Sequence, residues 1–316
     1  MKNNKVKILH LLTWDWACIR NNLKLIKEYG WDGIQVSPLT TCKAVWTNDG
    51  KIKPYSNEWW EEVEKTWWLL YQPTYFKIGN HLGNFDDFKY LCDEADKLDL
   101  MIIPDYVLRH TANDEYDCLK PHNSVDKNIL DNPEFFLPRR KTTNYKDRYQ
   151  VIWHCTDLPA LNYNDERLFT DFYEPLIKEI SNLTPHFRLD QMKHYALRDE
   201  GGLFLDRLMK YYNNDGLHYG ECIFCDDYIA RKYYDEYNIK PLVQDYQLFG
   251  FKDRVAFFES HDTHRSLLST LWMTDNVRLE KWNMLLSQTD YALYYARRWD
   301  NTIFSDEMKE INFSYN

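Results

Sequence analysis

The chain has 316 residues, with 49 Asp and Glu against 39 Lys and Arg, for a net charge of −10. That length suits a single barrel of eight βα units carrying an insertion, and it can bury a large core. The acidic balance argues against a nucleic-acid backbone as partner, because phosphate binding needs clustered Lys and Arg. No run of eighteen apolar residues offers a membrane helix.

Strand-like and helix-like segments alternate from the first residues. Lys2, Lys5 and Lys7 precede an apolar run, Ile8 to Leu12, that is too short for a signal peptide, so a cytoplasmic chain is expected. Val6 to Leu12 reads as strand one, Ile19 to Tyr29 as its helix, and Gly33 to Val36 as strand two, ended by Ser37-Pro38. Phe88, Leu91 and Ala95 share one face of a helix over Phe85 to Lys97. Leu100 to Val107 reads as strand three, which leaves Asp105 and His110 at its carboxyl end. From Thr111 to Tyr163 the chain is polar and turn-rich, with Pro121, Pro133, Pro138 and Pro159. This stretch reads as a small domain inserted between strand 3 and helix 3, so that 1–110 and 164–316 form the α/β barrel and 111–163 the insert.

Helical spacing returns at Leu168, Phe169, Phe172, Leu176, Ile177 and Ile180, ahead of the strand Phe187-Arg188-Leu189. Asp226 to Tyr237 reads as a helix, Pro241 to Gln244 as a short strand and Val255 to Phe258 as another. Helices are expected over Arg265 to Trp272 and Val277 to Ser287, and Tyr291 to Ala296 is the best eighth strand. The candidate chemistry always follows a strand, as in a (β/α)8 TIM barrel whose active face is the carboxyl end.

Three acids carry that chemistry. Asp190 follows Phe187-Arg188-Leu189, Glu221 follows His218-Tyr219-Gly220, and Asp262 follows Val255-Ala256-Phe257-Phe258. Retaining glycoside hydrolysis needs one ionised carboxylate and one protonated carboxyl roughly 5 Å apart around an oxocarbenium-like transition state. Arg188, two residues before Asp190, shares its strand face and is expected to keep Asp190 ionised, while burial raises Glu221. Seven cysteines without framework spacing suit a reducing compartment. Cys222 and Cys225 form a C-x-x-C that lacks the second pair of a zinc site and the setting of a thioredoxin, so they read as plain thiols beside a strand exit.

The blocks IIPDYVLRH, FRLDQMKHY, YGEC and FFESHD, with ILHLLTWDW, GWDGIQVSPLT, WWLLYQPTYFKIGNHLGNFDDF and DLPALNY before or between them, closely resemble the ordered regions of the α-amylase superfamily, glycoside hydrolase family 13. The resemblance implies a retaining α-glycosidase acting on starch- or glycogen-type glucans or maltooligosaccharides. It implies Asp190 as nucleophile, Glu221 as general acid/base, Asp262 as transition-state stabiliser and Asp105 as a structural acid. His110 and His261 match histidines that bond hydroxyls of the sugar being cleaved, and Lys193 and His194 match residues on the leaving-group side. Tyr71 matches a ring that stacks on that sugar; Gln72, Trp67 and Trp68 match residues lining neighbouring glucose subsites in animal-type amylases. Trp59 and Trp60 match nothing and read as packing.

The chain departs from the family in three places. The usual Pro-Gly turn and Gly-Asp-Glu ending are missing, and no segment for a C-terminal β-sandwich follows the eighth strand, so a minimal or trimmed barrel is expected. Where the family commonly has a calcium-binding Asn before the first histidine, Arg109 stands. A cation should repel Ca²⁺, which needs oxygen donors, so no cofactor is expected and Arg109 is expected to pair with an acid such as Asp147 or Asp157. Two alternatives stay open, an α-glucan transglycosidase of the same superfamily and a non-catalytic glucan-binding protein on the same barrel. A metal-dependent TIM-barrel hydrolase is disfavoured, since strand one has His10-Leu11-Leu12 rather than His-x-His.

Overall fold

The computed structural model describes residues 5–43, 67–212, 215–264, 270, 272–297 and 300–316. Ten strands are found among them: β1 (Val6–Leu11), β2 (Gly33–Pro38), β3 (Thr40–Cys42), β4 (Pro73–Ile78), β5 (Met101–Tyr106), β6 (Phe187–Leu189), β7 (His218–Glu221), β8 (Lys240–Gln244), β9 (Val255–Phe257) and β10 (Tyr291–Tyr295). Eight close into a barrel in the order β1-β10-β9-β8-β7-β6-β5-β2, every pairing parallel. This is a (β/α)8 TIM barrel, and the segment chosen as the eighth strand closes it by pairing Val6 with Tyr291 through His10 with Tyr295.

Both faces of each barrel strand are covered, which is why the strands read as apolar runs rather than as alternations. The period of two still shows inside the barrel. Ile8, Ile103, Tyr219, Leu242, Phe257 and Leu293 form one buried cluster, and two residues further along β1, β5, β7, β8 and β10 come His10, Asp105, Glu221, Gln244 and Tyr295. The barrel is therefore filled with apolar side chains below and polar ones above. Tyr219 reaches across it to donate to Gln35 Oε1 at 2.8 Å.

The outer helices form where capping and periodicity agree. Asp15 caps Trp16–Glu28 by accepting from the Cys18 amide, and Trp16, Ile19, Leu23 and Ile26 face the strands. Asn84 and Asp87 make a reciprocal capping box at Phe85–Asp96, which buries Phe88, Leu91, Cys92 and Ala95. The helix expected over 265–272 lies almost wholly outside the described residues, as do Trp59 and Trp60. Among the described residues no helix is long and apolar enough to cross a membrane.

Two details differ from the sequence reading. Ser37-Pro38 does not end strand two: β2 runs through both, with a register shift between Gln35 and Pro38 that lets Pro38 pair with Asp105. A bulge tolerates the missing proline donor. The antiparallel ribbon of β3 and β4 was not expected, because Pro73 and the polar Thr40-Thr41 mask its pattern. Between β5 and β6 the chain makes a long excursion with the short helices Lys127–Leu130 and Arg148–Trp153. Its ends are tied together by the His110–Ala160 bridge and by the Leu161 amide donating to Arg109 O at 2.9 Å.

Candidate active site

One guanidinium organises the mouth of the barrel. Arg188 lies in the middle of β6, in register with Asp105 on β5 and Tyr219 on β7, so its side chain enters the barrel between two neighbours. Its Nη1 donates to Asp105 Oδ1 and Oδ2 at 2.8 and 3.0 Å and to Asp190 Oδ1 at 2.7 Å; its Nη2 donates to Glu221 Oε2 at 2.5 Å. Asp190 and Glu221 are thus near neighbours, anchored to the two terminal nitrogens of one planar group. Arg188 is 2 % exposed and Asp190 5 %, so these charges meet with little water between them.

Three buried carboxyls around one buried cation cannot all ionise cheaply. Burial raises Asp190 well above the usual carboxylate range despite Arg188, and the charges of Glu221 and Asp105 add to the rise. At Glu221 burial also pushes upward, but Arg188, then Lys193, His261 and His194, outweigh it and hold the group below its ordinary value. This reverses the expected order, in which Asp190 was the low acid and Glu221 the high one. The cause is geometric: Arg188 Nη1 is shared by two acids, whereas Nη2 serves Glu221.

Around this cluster stand most of the residues picked from the sequence. Tyr71 is buried, donates to Asp105 Oδ2 at 2.9 Å and stacks on His261 with ring centroids 5.0 Å apart. Trp67 meets His261 edge-on at 4.6 Å. His110 Nε2 bonds Tyr71 O at 2.7 Å, leaving Nδ1 without a partner; burial lowers its pKa to about 4, so it is neutral. His194 is held by Val151 O at 2.6 Å and lowered by burial to about 3. Lys193 Nζ donates to Ile223 O at 2.7 Å. Gln72 is buried beside Asn113, whose amide reaches its Oε1 at 3.4 Å, and Trp68 is 42 % exposed.

Asp262 is placed differently from the other two acids. It lies in the short helix His261–His264 rather than at a strand end, its side chain is 46 % exposed, and it approaches His261 Nε2 at 3.6 Å without reaching the guanidinium of Arg188. Its charge is nevertheless felt at Tyr71.

Among the described residues Arg109 pairs with no acid. Its guanidinium is buried in a nest of backbone carbonyls, donating to Ile152 O at 2.6 Å, His154 O at 3.3 Å, Leu161 O at 3.4 Å and His194 O at 3.4 Å. Asp147 instead caps Arg148–Trp153, and Asp157 meets Lys141 at 2.5 Å. Backbone oxygens from two segments offer a cation better geometry here than side chains that remain at the surface.

Two groups escaped the sequence reading. Glu259 is buried, accepts from Arg278 Nε at 3.0 Å and from Arg297 Nη2 at 2.6 Å, and also takes Thr270 Oγ1 at 2.5 Å. This pins the start of the Asp262 loop to the segment after β10. Glu259 sits inside FFESHD, but its two arginines come from distant segments, so no local spacing betrays it. His10 is fully buried with both ring nitrogens lacking a partner, and its ring lies 5.5 Å from those of His261 and Tyr295. Burial keeps it neutral. Among the described residues no group of three or more His, Cys, Asp and Glu could hold a metal ion.

No family model matches the chain. Curated relatives do: an α-amylase of Clostridium acetobutylicum is 31% identical over 188 residues, covering 59% of this chain and 22% of that protein. An α-amylase of Butyrivibrio fibrisolvens is 27% identical over 200 residues, covering 61% of this chain and 19% of that protein. Mouse pancreatic α-amylase 2a5 is 26% identical over 207 residues, covering 61% and 38%. Among solved structures, an α-amylase from Geobacillus thermoleovorans complexed with acarbose superposes with a TM-score of 0.69 at 17% identity, covering 100% of this chain and 79% of that one. A cyclomaltodextrin glucanotransferase gives 0.72 at 15% identity, covering 98% and 80%.

The chain resembles the α-amylases over about 60% of its length. It spans about a fifth of the length of the two bacterial relatives. The Arg188 cluster sits where the carboxyl ends of β5, β6 and β7 converge, the face on which TIM-barrel chemistry is built.

Proposed function

We propose that this protein is a retaining α-glycosidase that cleaves α-glucosidic bonds of starch- or glycogen-type glucans or maltooligosaccharides by double displacement. The observation that carries the reading is Arg188 holding Asp190 and Glu221 side by side at the barrel mouth. Such closeness suits the roughly 5–5.5 Å of a retaining pair better than the roughly 6.5–9.5 Å of an inverting one. Asp190 attacks the anomeric carbon, Glu221 protonates the leaving oxygen and then deprotonates the acceptor, and Asp262 offsets the positive charge on the ring. Asp105 fixes Arg188 from behind.

The contact between Arg188 and Glu221 gives this mechanism its first step. A glycosidic oxygen that enters between Glu221 and Arg188 breaks their contact, removing the largest influence that keeps Glu221 low. With that contact broken, burial pushes Glu221 upward and favours its protonated, acid form. Tyr71 and Trp67 cover one face of the sugar, with His261 packed against both rings.

We further infer that residues 111–163 act as an inserted unit and that the enzyme needs no calcium. The support is Arg109, a permanent cation already seated among carbonyl oxygens of the insert and His194. The function is tested by separating the products of maltoheptaose by chromatography, with Asp190→Asn as control. Shorter sugars with the parent enzyme alone support hydrolysis, longer ones support transfer, and an unchanged substrate overturns the reading.

A further inference from the structure

Cys222 and Cys225 stand at the two ends of a tight turn directly after Glu221. The Cys225 amide donates to Cys222 O at 3.1 Å, a turn that brings the two Cα atoms within about 7 Å, inside or close to the span that a disulfide bridges. Phe224, between them, has φ of 57°, in the left-handed region that L side chains enter at a cost of roughly 1–2 kcal/mol. Its ring nonetheless faces solvent, so packing of that ring does not explain the strained turn.

The two thiols differ in access. Cys222 is fully buried, whereas Cys225 is partly exposed on the wall of a cavity of about 1010 Å³ shared with Tyr145, Arg148, Lys193 and Tyr228. Cys225 also precedes Asp226, whose side chain caps the helix Asp227–Tyr237 by accepting from the Tyr228 and Ile229 amides. A hydrogen bond from Cys222, then the charges of Arg148 and Lys193, hold the Cys225 thiol below its usual range against burial and Asp226; burial pushes Cys222 up. One thiol is poised to attack and the other is shielded.

We propose that Cys225 and Cys222 form a thiol–disulfide switch on the cavity wall beside Glu221, driven by small disulfides. This regulation rests on the glycosidase reading of Glu221. The Cys225 thiolate attacks one sulfur of the small disulfide, whose S–S bond breaks and releases one thiolate that takes a proton from solvent. Cys222 then loses its proton, attacks the Cys225 sulfur and expels the second thiol. Two cysteine thiols are oxidised to one disulfide, and one small disulfide is reduced to two thiols. The new bond tightens the turn that carries Ile223 O, the acceptor of Lys193, and shifts Glu221 next to it.

The test exposes the reduced full chain to glutathione disulfide, blocks remaining thiols by alkylation and maps the peptides by mass spectrometry. Turnover of maltoheptaose is read before treatment, after it, and after dithiothreitol. A Cys222–Cys225 bond forming ahead of modification at the exposed Cys118 is expected. It should come with a loss of turnover of tenfold or more that dithiothreitol reverses, because a misplacement of about 1 Å near reacting groups costs on the order of 10²-fold. Cys222→Ser should trap glutathione on Cys225, and Cys225→Ser should keep its turnover under oxidant. Both cysteines still alkylated while Cys118 is modified would overturn the proposal, as would a formed disulfide with unchanged turnover. A reduced enzyme that leaves maltoheptaose intact counts against the glycosidase reading, and the thiol map then decides the switch by itself.

Discussion

Replacing Arg109 by Met removes a buried cation while keeping most of its apolar stem. The short bond to Ile152 O at 2.6 Å is charge-assisted and contributes about 1.5–3 kcal/mol. The three contacts at 3.3–3.4 Å are weaker, at a few tenths of a kcal/mol each by the same scale. The guanidinium also lies over the Tyr163 ring at 5.2 Å, which adds about 0.5–2 kcal/mol. The sum, about 3–6 kcal/mol, is of the same order as the cost of breaking a buried polar network. At about 2 °C per kcal/mol for a chain of this size, the melting midpoint should drop by roughly 6–12 °C. Thermal unfolding followed by circular dichroism measures this, with limited proteolysis in 111–163 reporting whether the excursion loosens first. The parent enzyme should melt at the same temperature with and without a calcium chelator. A variant as stable as the parent, or a chelator-induced fall that calcium restores, would refute the view of Arg109 as the resident cation.

Asp190→Asn should lower turnover by orders of magnitude while leaving the barrel as stable or more so, because the substitution relieves a buried carboxyl whose pKa is raised; activity and melting midpoint measured together check both halves. Glu259→Gln should destabilise by about 3–5 kcal/mol, since Arg278 and Arg297 lose their shared carboxylate, and urea unfolding reads it. Stability should also decline with acid. His110 and His218 are held at about 4 and His194 at about 3 by burial, below an unfolded value near 6.5. The unfolded chain then binds more protons between those values, so stability is full above about pH 6.5 and is lost as pH falls toward 4 and 3. Urea midpoints across that range test the sign, and a rise on acidification would contradict it.

The barrel was legible because its signals are local. Val6–Leu11, Gly33–Pro38 and Met101–Tyr106 are short apolar runs separated by helices with clear caps, and each can be read without knowing its partners. The placement of Asp105, Asp190 and Glu221 was legible for the same reason: they lie at or just beyond strand ends, with Arg188 two residues before Asp190 inside β6, and strand alternation fixes which way they point. What remained hidden depends on distance. Nothing near Arg109 announces that Ile152, His154, Leu161 and His194 will turn their carbonyls toward it, because backbone groups leave no trace in residue types. The sharing of one guanidinium by three acids, which inverts the order of Asp190 and Glu221, follows from register across β5, β6 and β7. The β3–β4 ribbon pairs strands on either side of a long stretch of chain, and a three-residue strand carries too little pattern to stand out.

The most direct test of double displacement is the anomeric configuration of the first product, followed by proton NMR from the moment enzyme meets maltoheptaose. The Asp190 and Glu221 pair predicts that the new reducing end appears first as the α-anomer and only later equilibrates. A β-anomer appearing first would contradict the account, because it requires water to attack directly and leaves Asp190 no covalent role.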